Sequence, residues 1–406
     1  MSTRSTMVLL TTCLLMAPML GATEPAATLG GPGEDPKSPT QDEAARLYWK
    51  DGIRFDLGER SFKFGGRIMN DWTYSSGLMD FRGTEFRRAR LYLSGDIAEN
   101  VDFKAQYDFA GGDADVKDMW FRLKGLGPGD LKIGHFKEPF GLEELTSSKY
   151  ITFMERALPM VMAPSRNTGF GYNGGGDGYT WAFGIWRPAN SYGDDKTGAS
   201  TYNLTGRFTF TPWNEDGGAS LLHLGAAVSR RDLGDTGAIQ VKSSPESHLL
   251  GSGFYGSGVV GADGATLFGL EAAWVEGPFS LQGEYVQTDV NALAGADPTF
   301  SGWYLQGSWF VTGEHRSYKH GAFSRIKPAT VFGGEDEGCG AWELALRYSS
   351  LDLSDGPAAT GTLDDVTIGA NWYLNPNTRI MFDYTRADLQ GFDATDIFQT
   401  RFQVDF

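Results

Sequence analysis

Cysteine is almost absent, with two in 406 residues, Cys13 and Cys339. Cys13 lies in an apolar leader, so the mature chain keeps one thiol and forms no intrachain disulfide, which excludes a disulfide-stapled secreted scaffold. Long apolar runs are equally scarce. Beyond residue 22 nothing approaches the roughly 20 apolar residues of a membrane-spanning helix, and mean hydropathy is −0.30, so a helical membrane protein is excluded. Positive charge is the third shortage. Lys and Arg number 35 against 51 Asp and Glu, a net charge of −16, which speaks against nucleic acid as a partner.

Chemistry-bearing motifs are missing as well. The five histidines are His135, His223, His248, His315 and His320, and the nearest pair has a spacing no zincin helix uses. No nucleophile elbow, dinucleotide fingerprint or phosphate-cradling loop occurs. The glycine-rich stretches 174–178 and 333–340 precede no predicted helix that would offer amides to a phosphate. The sequence calls for no cofactor, no metal and no catalytic residue, and carboxylates are too numerous for a glycosidase pair to stand out.

What is present is an export leader followed by alternation. Residues 1–22 combine Arg4, an apolar run from Met7 to about Leu20 and a small-residue cleavage site ending at Ala22, the pattern of a cleavable signal peptide. Cys13 sits inside the apolar run, which argues against lipidation. Residues 23–57 are rich in Pro, Gly, Ala and acidic groups to about Trp49 and read as a flexible segment, with a helical turn or two expected at DEAARLYWKDG. Residues 58–406 carry 9- to 11-residue stretches of period-2 alternation, the signature of a transmembrane β-strand. At the C-terminus Phe398, Phe402, Val404 and Phe406 share one face, and Gln399, Arg401, Gln403 and Asp405 the other.

Sixteen such strands are expected, around 61–71, 85–97, 101–109, 115–123, 129–136, 167–173, 177–186, 200–211, 220–230, 266–275, 278–288, 300–312, 340–349, 363–373, 378–387 and 397–406. An even count fits a closed antiparallel barrel of the bacterial outer membrane, where short turns face the periplasm and long loops the outside. The stretch 314–338 breaks that rule, being a long connection on the short-turn side. Trp72, Tyr74, Trp186, Trp213, Trp303, Trp309, Trp372 and Tyr373 fall near strand ends, as interfacial girdles do. A water-soluble β-sandwich is the competing fold.

One cluster stands out, EFRRAR at 85–90, together with Arg67, Lys149 and Arg156. Arg or Lys facing lipid costs roughly 2–4 kcal/mol at the bilayer midplane, so basic residues within the span belong in the lumen, where guanidiniums suit oxyanions. Arg88 and Arg90 share the polar face with Ser94, but Arg87 has the parity of Ala89, Leu91 and Leu93. It reaches the lumen only above the membrane or through a bulge. Anion binding and simple pairing with barrel carboxylates fit this cluster equally well.

These residues resemble the phosphate-selective porin O and P family. The resemblance spans nearly all of the mature chain and is carried by FKFGGRI at Arg67, FRRARLYLSG from Phe86, LKIGHFKEPFGLEELTSSKYITFMERALP from Leu131, TGEHRSYKH from Thr312, IKP at Ile326, GAWELALRY from Gly340 and GANWYLNPN from Gly369. It implies a sixteen-stranded outer-membrane barrel, a homotrimer, with loop 137–166 folded into the lumen. It further implies a passive channel for phosphate or polyphosphate-like anions, with an anion site of Arg67, Arg87, Arg88, Asp118 and Lys149, and Arg156 lining the constriction. The single acid would accept from protonated phosphate and limit trapping, since conduction needs release. Its expected partners are outer-membrane lipid, small anions and the barrel-assembly machinery, which would engage the strand ending at Phe406. One departure weakens the phosphate expectation. Family members selective for phosphate carry an arginine ladder in a long loop, whereas 232–265 here has no arginine and only Lys242. The alternatives are a weakly selective diffusion pore and, from another class, an outer-membrane enzyme or structural barrel.

Overall fold

The computed structural model describes residues 45–194, 201–234, 237–334, 337–358 and 361–406. The expected leader and most of the segment that follows it lie outside these residues. Alternation in the sequence becomes sixteen barrel strands, numbered first to sixteenth: Arg60–Gly77, Phe81–Ala98, Val101–Asp108, Asp115–Leu126, Gly129–Lys137, Arg166–Gly176, Tyr179–Arg187, Asn203–Glu215, Ser220–Asp232, Val260–Glu276, Phe279–Ala292, Thr299–Phe310, Ala341–Asp352, Thr362–Asn375, Thr378–Leu389 and Thr395–Asp405. Each pairs antiparallel with the next. The sixteenth closes on the first, from Thr395 opposite Gly77 to Asp405 opposite Arg67. Closure leaves the membrane span no unpaired edge, which lipid could not satisfy.

The burial pattern is inverted relative to a soluble protein. In the sixteenth strand Arg401 is 0% exposed, while its neighbour Phe402 is 48% and Phe398 53% exposed. Leu204, Phe208, Leu270, Leu346 and Ile368 also point outward. An apolar belt around a polar interior requires lipid outside, since exposing such a band to water would forfeit roughly 1.5–3 kcal/mol for each large apolar side chain. The sandwich alternative is thereby overturned.

All sixteen expected strands are present, and several run further than the alternation predicts. The first continues to Gly77 and the tenth begins at Val260, because hairpin ribbons above the lipid need no apolar outer face. Two of the expected girdle residues point inward instead. Trp186 is buried beside Phe136, with ring centroids 5.7 Å apart, in space left by Gly171 and Gly184. Tyr373 is buried and donates to Glu343 at 2.8 Å. Trp72, Tyr74, Trp213, Trp303 and Trp309 face outward as expected.

Residues 46–57 form two short strands where a helical turn or two is expected. Arg46–Trp49 pairs with Ile53–Leu57, which pairs with the first strand from Ile53 opposite Phe64 to Leu57 opposite Arg60. Asp51 and Gly52 supply the two positive-φ turn residues (54° and 136°) that a tight hairpin needs. The folded unit therefore begins ahead of residue 58.

The long short-side connection is real and fills space. Residues 311–326 leave the twelfth strand and turn back into the barrel. Arg316 donates to Gln282 at 2.9 Å, the Tyr318 hydroxyl meets His223 at 2.6 Å, and Arg325 pairs with Asp405.

Candidate functional site

The connection 138–165 lies inside the barrel against one wall, and glycines make room for it. A Cβ on Gly269 would stand 2.9 Å from the Phe140 ring, one on Gly302 3.0 Å from Pro159, and one on Gly369 3.0 Å from Phe153. Polar contacts then fix the loop. Arg379 donates to the Ile151 carbonyl at 2.9 Å, Asn371 to that of Thr152 at 2.8 Å, and Asp383 accepts from the Met154 N–H at 2.7 Å. At the loop's start, the N–H groups of Leu142 and Glu143 converge on the Glu284 carboxylate at 2.8 and 2.7 Å. Gly269→Val is expected to destabilise the barrel by roughly 1–3 kcal/mol through overpacking and to narrow the pore as Phe140 and the loop are pushed off the wall into the lumen. Urea unfolding and single-channel conductance check both effects.

With the loop seated on the tenth to sixteenth strands, the opposite wall faces the passage. That wall is charged. Arg90 pairs with Asp108 at 2.6 Å, Arg122 with Asp102, Lys124 with Asp96 at 2.9 Å, and Lys132 lies 4.6 Å above the Trp120 ring. A cavity bordered by Arg122, Lys132, Lys137, Leu145, Arg207 and His320 opens beside the loop.

Arg87 reaches the lumen through a bulge. Met69 pairs with Arg88, but the next residue, Asn70, pairs with Phe86, so Arg87 is the extra residue on its strand. The Asn70 side chain donates to the Glu85 carbonyl at 3.0 Å and braces the kink. One inserted residue resets parity: Phe86 is 60% exposed to the lipid side, while Arg87 and Arg88 both turn inward.

The six expected site residues are one acid and five cations, three of them paired and two unpaired among the described residues. Arg87 forms a bidentate contact with Glu155 at 2.8 and 3.0 Å. Lys149 meets Asp405 at 2.9 Å, and Arg156 meets Glu144 at 3.0 Å. Asp118 bridges Lys104 at 2.5 Å and Arg166 at 2.8 Å. Arg67 and Arg88 differ. Arg67 donates to Ser148 at 2.7 Å and Ser147 at 3.3 Å, and among the described residues Arg88 donates only to the Met69 sulfur, at 3.5 Å. Neither has a carboxylate partner among the described residues, and the buried Nε of each lacks an acceptor. Both stand on the lumen face of adjacent strands, with Met69 two residues from Arg67 and opposite Arg88.

Sequence reasoning did not find the residues that hold the loop. Arg347 pairs with Glu143 at 3.3 Å and Glu246 at 2.5 Å, and Arg401 with Asp71 at 2.6 Å and Glu155 at 2.7 Å. Their only signal is inward parity on the last strands. Burial pushes the Glu155 carboxyl up, but Arg87, Arg401 and Arg88 together hold it well below the usual range.

Glu144 behaves similarly. Burial would raise its pKa, yet Arg156 and Lys137 bring it down to about 2 from 4.5. A carboxylate depressed on folding adds stability that is fully present above its unfolded pKa and is lost as pH falls through the folded value. The loop contact at Glu144 should therefore hold above pH 4.5 and weaken progressively toward pH 2. Single-channel noise recorded across that window should rise in the native channel and stay flat in Glu144→Gln.

Comparison with known proteins places this geometry. The model of the family described as phosphate-selective porin O and P matches residues 62–406. Porin O of Pseudomonas aeruginosa is 30% identical over 398 residues, covering 86% of this chain and 89% of the relative. Among solved structures, an anion-selective porin from Comamonas acidovorans superposes with a TM-score of 0.56 at 15% identity, covering 86% of this chain and 100% of that one. OprB of Pseudomonas putida gives 0.57 at 9% identity, with 85% and 94% covered. At such identities the superpositions speak for the fold alone. The family model spans every barrel strand from Phe62 to the C-terminus, and the chain belongs to the phosphate-selective porin O and P family.

Proposed function

We propose that the protein is a passive outer-membrane channel preferring small anions, phosphate-like oxyanions among them, and not an enzyme. The observation that carries this reading is the pair Arg67 and Arg88, two lumen guanidiniums with no carboxylate partner among the described residues. Both are nearly buried, 6% and 3% exposed, so they act on a passing oxyanion chiefly through their charge, and Ser147 and Ser148 add hydroxyls beside Arg67. Arg87, Lys149, Arg156 and Asp118 shape the constriction from within ion pairs and give an arriving anion a weaker, delocalised attraction. Binding of this kind is shallow enough to release. The family is described as phosphate-selective and the Comamonas porin as anion-selective, and both agree with this reading.

Export through the leader at residues 1–22, assembly guided by the strand that ends at Phe406, and a homotrimeric state complete the proposal. Phosphate titrated against chloride current in a planar bilayer tests the oxyanion part. Partial, saturable block of the chloride current is expected. Unchanged chloride current would favour the second reading, a weakly selective diffusion pore, whose support is that so many lumen cations already have acidic partners.

A further inference from the structure

Residues 237–259 of the extracellular connection after the ninth strand bring its tip into the lumen, where Ser243, Glu246 and Ser247 are buried. Glu246 adopts a left-handed backbone conformation, φ 43°, which a non-glycine residue adopts only when its surroundings hold it there. Its carbonyl accepts from the Gln399 side chain at 3.0 Å. Four donors surround the carboxylate. Oε2 accepts from Arg347 Nη2 at 2.5 Å, Arg347 Nε at 3.1 Å and Thr367 Oγ1 at 2.6 Å, and Oε1 accepts from Ser349 Oγ at 2.5 Å.

The donors and the acceptor belong to different kinds of structure. Arg347 and Thr367 are register partners on the thirteenth and fourteenth strands, and Ser349 lies two residues along on the same lumen face. Those strands exist whether or not the loop is inserted, so the donors are prearranged. The carboxylate arrives on a loop. We propose that Arg347, Ser349 and Thr367 form an oxyanion site on the barrel wall, occupied in cis by Glu246, and that small free monocarboxylates compete for it.

The neighbours select the charge of the competitor. Arg347 Nη1 stays engaged with Glu143 at 3.3 Å, and Asp365, the register partner of Ser349, has both carboxylate oxygens buried without a donor. With those acids close by, a singly charged carboxylate that replaces Glu246 atom for atom is accommodated better than a dianion. The site is separate from Arg67 and Arg88, and the proposal does not depend on phosphate selectivity there.

Formate is the probe, added to native and Glu246→Ala channels in planar bilayers at constant ionic strength. The variant, freed of its tethered ligand, should show a noisy open state that formate quiets. Its half-maximal formate concentration should lie about tenfold or more below that of the native channel, where the tethered carboxylate competes at an effective concentration in the millimolar range. A variant indifferent to formate, or native and variant channels responding alike, would overturn the proposal and leave Glu246 a structural contact. Folding is checked by heat-modifiable migration. Should Glu246→Ala fail to assemble, Glu246→Gln removes the tethered charge, keeps the side chain's length and leaves the three donor residues in place. Formate sensitivity above native supports the site, and its absence overturns it.

Discussion

Alanine at both Arg67 and Arg88 is expected to lower the anion-over-cation permeability ratio by about tenfold, equivalent to about 1.4 kcal/mol of lost attraction. The magnitude follows from where the two charges stand. A unit charge 4 Å from an ion contributes about 1 kcal/mol in bulk water and about 4 kcal/mol near a protein surface, and a wet lumen lies between those limits. Neither guanidinium has a carboxylate in salt-bridge contact among the described residues, but both are nearly buried and Arg88 shares the field of Glu155 with Arg87 and Arg401, so only part of that attraction acts on the permeating ion. The same substitution at Lys149 should do less, because Asp405, 2.9 Å away, already offsets it and also pairs with Arg325. Reversal potentials of the double variant and of Lys149→Ala in one salt gradient check the contrast.

Arg401→Ala should be the most damaging single substitution to the loop's anchorage. The side chain is fully buried and satisfies Asp71 through Nε at 2.7 Å and Nη2 at 2.6 Å, Glu155 at 2.7 Å, and the Met154 carbonyl. Removing it strands the Asp71 carboxylate in a desolvated wall and takes one of two arginines from Glu155, a loss on the order of 3–5 kcal/mol. Glu155 would keep Arg87, so the loop would loosen around Met154 first. Urea unfolding of the refolded barrel in detergent should show an earlier midpoint, with larger and noisier single-channel currents. Arg386→Ala is the control. It breaks the exposed pair with Asp396 at 3.0 Å, and exposed pairs contribute little, so an unchanged midpoint is expected there.

The barrel was legible in the sequence because a lipid-facing strand needs apolar side chains at every second position, and that period survives strand by strand. Phe398, Phe402 and Val404 against Gln399, Arg401 and Gln403 already state which face meets lipid. Even the misfit at Arg87 carried information, since its wrong parity requires the bulge found between Met69 and Asn70. The inward Trp186 was not legible. Its place depends on Phe136 and on glycines in neighbouring strands, and alternation alone does not count such space.

At the site, the sequence placed cations in the lumen but could not say which were neutralised. Glu155 comes to Arg87 from 68 residues away, Asp405 to Lys149 from 256, and Glu246 to Arg347 from 101. Among 51 acidic side chains, no local pattern marks the one a closed barrel will bring opposite a given arginine. The arginine-poor loop 232–265 raised a doubt about phosphate. What it could not show was that this loop brings a carboxylate of its own into the lumen.

The central claim is that the two unpaired guanidiniums outweigh a net-acidic chain at the constriction. The sign of the reversal potential across a native channel in a potassium chloride gradient tests it most directly. A potential toward the chloride equilibrium value is predicted, and one toward the potassium value would contradict the account.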